Sequence, residues 1–141
     1  MLDWSKSFEM YLKLSNKQRL SIGQKAHVIL AKEIENLVEE EYIRPSLYLL
    51  SLGRFISLRE EYKQEEYNFF KDVTGYSEPI ETFELTVNNA KDKKIGEFLE
   101  VYFQKLGGEA LTAYLSFGLA LMTIKGELTE DDKALIEKIH G

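Results

Sequence analysis

The sequence predicts an all-α fold, a single-domain helical bundle of about seven or eight helices over residues 1–141. Three observations carry that reading. Apolar residues recur at spacings of three and four along most of the chain, the period of a one-sided helix. Strand-like alternation over several residues is missing, and so are hairpin dipeptides. Two stretches, SLYLLSLGRFISL at 46–58 and the run at 110–124, are apolar on nearly every side, as helices in the middle of a bundle must be.

The elements follow in order. Phe8, Tyr11 and Leu12 mark a short first helix with Trp4 as an aromatic anchor. Residues 21–41 read as a long amphipathic helix, with Ile22, Ala26, Ile29, Leu30, Ile34, Leu37 and Val38 on one face. Arg44-Pro45 ends it, because proline pushes the preceding residue out of the α region. The apolar helix 46–58 comes next. A short amphipathic helix at 64–74 stops at Gly75, a C′ glycine. Ser77-Glu78-Pro79 opens another helix, a hydroxyl cap with proline in the first turn. Ile95, Phe98, Leu99, Tyr102 and Leu106 stripe a further helix, which Gly107-Gly108 breaks before the apolar run 110–124. Thr129, with Asp132 three residues on, caps the last helix.

Composition narrows the function classes. Hydrophobic residues are 44% and charged residues 30% of the chain, a balance that supports a packed core. Cysteine is absent, which excludes disulfides and thiolate metal sites. The net charge of −6 repels phosphates, so no nucleic-acid partner is expected. The densest basic cluster, Lys91, Lys93 and Lys94 around Asp92, reads as a solvated helix start. MLDWSKSFEMYLKL lacks the basic and apolar regions of a signal peptide. No run reaches the ~18–20 apolar residues of a membrane span. A cytoplasmic setting is the expectation.

Residues 45–75 and 110–141 look like repeated units. Leu50-Ser51-Leu52-Gly53 aligns with Leu115-Ser116-Phe117-Gly118, Glu65-Glu66 with Asp131-Asp132, Phe69-Phe70 with Leu135-Ile136, and Gly75 with Gly141. Each unit is an apolar helix, a polar turn from which Tyr62 or Leu128 dips inward, then an acidic first turn. Glycine costs about 1 kcal/mol inside a helix, so Gly53 and Gly118 are expected to let the two apolar helices cross closely. The alternative is that each makes room for a neighbouring aromatic ring.

Lys125-Gly126-Glu127-Leu128-Thr129-Glu130-Asp131-Asp132 resembles the turn of the tellurite-resistance TerB-like family. That family's signature is an apolar helix, Asp-Gly-Glu-apolar-Ser/Thr-x-x-Glu, then an amphipathic helix. The resemblance covers residues 45–141. It implies an all-helical fold with internally repeated halves and a stress- or metal-resistance system, with metal binding and peripheral membrane complexes among its roles. This chain departs from the signature at its first place, where it has Lys125, matched by Arg59 in the other unit. A hard cation needs several converging oxygens, which a fixed positive charge opposes. Glu127, Asp131 and Asp132 are therefore only weak metal candidates, and no cofactor is expected.

No catalytic constellation is legible. His27 reads as a surface or boundary residue, and His140 as a helix C-terminal one. Gly107-Gly108 lacks the Lys-Ser/Thr of a phosphate loop. The leading expectation is a non-enzymatic module that binds a protein partner or itself, with Glu60, Glu61, Glu65, Glu66 and Glu130 as the acidic contact residues. Two rivals are a divalent-cation sensor or buffer using the acidic turns, and a helical enzyme with an acidic pocket.

Overall fold

A computed structural model describes residues 4–57, 59 and 63–141, apart from the side chain of Lys93. Its helices are α1 (Ser5–Leu12), α2 (Asn16–Leu37), α3 (Arg44–Gly53), α4 (Gln64–Thr74), α5 (Ile80–Asn89), α6 (Lys93–Leu106), α7 (Gly108–Met122) and α8 (Glu130–His140). Among the described residues there is no strand. The all-α single-domain bundle is thus what forms.

Helix α2 starts earlier than its apolar stripe suggests. Ser15 and Gln18 form a capping box: Gln18 N donates to Ser15 Oγ at 3.2 Å, and Ser15 N donates to Gln18 Oε1 at 2.9 Å. The helix ends at Leu37 rather than at 41, because Val38 is extended. The carbonyls just beyond it are met by Arg44, whose Nε donates to Val38 O at 2.8 Å and Nη2 to Glu39 O at 3.2 Å. A guanidinium beside a helix C-terminus complements the dipole, here while holding the extended chain that leaves the helix.

The apolar run 46–58 is not all helix. Helix α3 ends at Gly53, yet Phe55, Ile56 and Ser57 remain buried in the turn that follows. Pro79, not Ser77, occupies the N-cap position of α5. Helix α6 is capped by Asp92, whose Oδ1 accepts from the amides of Lys94 and Ile95.

Helix α7 is the centre, buried along most of its length and packed chiefly on α2. Three helices meet at the buried Arg19. Its guanidinium donates to Ala120 O of α7 at 2.9 Å, to Tyr11 O of α1 at 3.0 Å, and to the Thr123 hydroxyl. Deeper in, Tyr114 stacks on Phe103 with centroids 4.0 Å apart and donates its hydroxyl to Ser51 O at 2.7 Å.

The expected Gly53–Gly118 crossing is not what these glycines serve. A Cβ on Gly118 would lie 2.5 Å from the ring of Phe55, and a Cβ on Gly53 would meet Val87 of α5 at 3.2 Å. Gly118 lies within α7, whereas Gly53 ends α3. Gly118 makes room for an aromatic ring, the alternative reading, and that ring comes from the turn after α3.

Candidate functional site

One acid of each acidic turn, Asp132 and Glu66, is taken up by the fold. Thr129 and Asp132 form the expected capping box, with Asp132 N donating to Thr129 Oγ1 at 3.1 Å and Thr129 N to Asp132 Oδ2 at 2.9 Å. The same Oδ2 pairs with Arg59, whose side chain is 9% exposed. In the reverse sense, Lys125 reaches across to Glu66, with Nζ and Oε1 3.5 Å apart. Arg59, after α3, thus meets the third residue of α8, and Lys125, after α7, meets the third residue of α4. Lys63, also buried, donates to Arg59 O at 2.7 Å. Burial raises the Glu66 carboxyl above its ordinary range, and the nearby Lys125 and Arg59 only partly offset this.

Two candidate residues need correction. Glu66, expected as a surface partner contact, is 1% exposed and faces Lys125. Asp132, the innermost of the weak metal candidates, is buried against Arg59. Glu65, Glu127 and Asp131 are exposed. Glu130 is also exposed, with Lys133 3.3 Å away. Glu60, Glu61 and Tyr62 lie outside the described residues. Among the described residues, no three His, Asp or Glu side chains converge as metal ligands.

Two surfaces stand out that the sequence reading did not assign. The first is α6. Its expected stripe is split: Leu99 is buried and Tyr102 half-buried, while Phe98 is 57%, Leu106 41% and Ile95 37% exposed; outside the stripe, Phe103 is buried and Val101 45% exposed. Lys94 and Lys105, both exposed, lie within about 40° of Phe98 around the helix. The inward side is fixed by Glu100, a buried carboxylate that binds Arg54 at 2.7 Å and Lys138 at 3.3 Å. Gly96 leaves the space through which Arg54 arrives, since a Cβ there would sit 2.8 Å from Arg54 Nε. The stripe could not be divided from sequence alone, because the buried Glu100 lies among the apolar residues and its partners are remote.

The second is a cavity of about 350 Å³ between α2, the start of α3 and the end of α4. Tyr48, Phe70 and Ile34 form its apolar floor and Tyr76 one wall. His27 Nδ1 is hydrogen-bonded to the Tyr48 hydroxyl at 2.7 Å. Burial lowers the His27 pKa and raises that of Tyr48, so this pair is neutral at pH 7. His27, Ala31, Ile34 and Glu35 share one face of α2, the signal that was present, but Tyr48 and Phe70 join it only through the fold.

An all-α bundle without a transmembrane-length apolar helix among the described residues is the class this architecture defines. No protein family, curated protein or solved structure matches the chain.

Proposed function

We propose that the protein is a non-enzymatic, cytoplasmic interaction module of TerB-like type, which docks an acidic amphipathic segment of a partner protein on the outer face of α6. The observation that carries this is the exposed row Ile95, Phe98 and Val101, each about 60° further around α6, with Leu106 exposed about 140° round from Val101 and Lys94 and Lys105 beside Phe98, on a chain of net charge −6. Contiguous exposed apolar surface marks interaction sites on soluble domains. The lysines select an acidic occupant, and a helix laid along the row would use apolar anchors at three- and four-residue spacing. The TerB-like part of the proposal rests on the turn. Gly126 is left-handed, with φ of 82°, and Thr129 and Asp132 cap the helix that follows. The duplication it includes is supported by the reciprocal Arg59–Asp132 and Lys125–Glu66 pairs. A stress- or metal-resistance system is the proposed setting.

The test is a photocrosslinking side chain placed at position 98 or, as a control, at the exposed Val28, in the native host. The expected result is an adduct specific to position 98, mapping to an Asp/Glu-rich amphipathic segment and lost in a Lys94→Glu, Lys105→Glu variant. Equal labelling from both positions, or an adduct indifferent to the charge reversal, contradicts the proposal.

A further inference from the structure

The cavity beside His27 has a chemical polarity of its own. Its floor is aromatic, with Tyr48 and Phe70 edge-to-face at 5.9 Å, and Tyr76 packs on Phe70 at 5.4 Å. Its volume of about 350 Å³ falls in the range of small-molecule sites. The mouth carries two exposed carboxylates, Glu35 and Glu78, and one cation, Arg44. Arg44 is already committed to the carbonyls of Val38 and Glu39. Two carboxylates against one guanidinium leave the mouth net negative. Inside, Tyr48 occupies His27 Nδ1, and Nε2 has no hydrogen-bond partner among the described residues.

We infer that this cavity binds a small amphiphilic organic cation, with an aromatic or alkyl body against Tyr48, Phe70 and Tyr76 and a protonated amine held at the mouth by Glu35 and Glu78. The aromatic floor takes up the apolar body, and the two carboxylates at the mouth supply the charge selectivity. A neutral His27 leaves the floor without a competing cation. An organic anion meets two carboxylates against the single charge of Arg44, whose Nε and Nη2 are already donated to carbonyls. The site is separate from the α6 face and does not depend on it.

Phenethylammonium and 3-phenylpropionate are the probes, alike in body and opposite in charge. Melting temperature and heteronuclear NMR shifts are followed as each is titrated into the full chain. The amine is expected to bind at least tenfold tighter, with shifts centred on His27 and Tyr76. The double variant Glu35→Gln, Glu78→Gln changes only exposed side chains and is expected to remove that preference. Ala31→Trp fills the cavity and is expected to abolish binding. Equal or tighter binding of the anion, an amine preference that survives the double variant, or no saturable effect with either probe overturns the inference.

Discussion

Lys125 Nζ, in the turn after α7, lies 3.5 Å from the buried Oε1 of Glu66 in the first turn of α4. The partner arrangement, Arg59 on Asp132, runs the opposite way. Each acidic turn therefore receives its positive charge from the chain itself.

Removing one member of such a pair leaves the other buried and uncompensated. Lys125→Met is expected to destabilise by about 1–3 kcal/mol in urea melts, because the Glu66 carboxylate has little access to water. No loss of stability would mean that the contact is electrostatically idle.

Glu66 also sets a pH dependence. Its carboxyl is raised above the ordinary 4.5 by burial, so the fold favours the protonated form. Its contribution is fully present below that value and is lost as pH rises through the raised one. Glu66→Gln is expected to flatten this part of the stability profile above pH 4.5. A variant profile that parallels the wild type there would show that Glu66 is not the group responsible.

His27 acts in the opposite direction. Burial depresses its pKa below 6.5, so the fold favours the neutral ring. Stability is full above 6.5 and falls as pH drops through the depressed value. His27→Gln, which can still bond the Tyr48 hydroxyl, is expected to lose less stability than the wild type between pH 7.5 and 5 in paired urea melts.

The cap on α8 is doubly used. Thr129→Ala is expected to cost about 0.5–2 kcal/mol, the ordinary value of a lost N-cap. Asp132→Ala should cost more, because it also strips Arg59 of its carboxylate. If the two variants melt alike, the Arg59 pair adds nothing beyond the cap.

Gly118→Ala drives a methyl into the Phe55 ring, which is itself held at 4.8 Å from Tyr114. Overpacking of this kind costs about 1–3 kcal/mol. A second change, Phe55→Leu, should recover part of that loss in a double-mutant cycle. Strict additivity would point to some other neighbour.

What was legible in the sequence was local. Gly75 takes the left-handed conformation, with φ of 76°, at the end of α4, and the Thr129–Asp132 cap forms as written, because each depends on residues within a turn of itself. Ser15-x-x-Gln18 is an equally local signal, and α2 starts there rather than at 21, where the apolar stripe begins. Gly53 ends α3 although the apolar run continues, since Phe55 and Ile56 are buried from a turn as effectively as from a helix. The burial of Asp132 was not legible. It depends on Arg59, 73 residues away, and an acid in a first turn looks the same whether it faces water or a guanidinium. The exposure of the α6 face is not legible for a similar reason. Periodicity says that a helix has an apolar side, not how many neighbours will cover it.

The claim on which the rest depends is that the acid-rich turns hold the fold together and do not seize an ion. Thermal melts in millimolar Ca²⁺, Mg²⁺ and Zn²⁺ test it most directly, since a ligand bound only to the folded state must raise the melting temperature. No saturable rise with any of the three is the expected result. A saturable rise that disappears in Asp131→Asn, Asp132→Asn would contradict it.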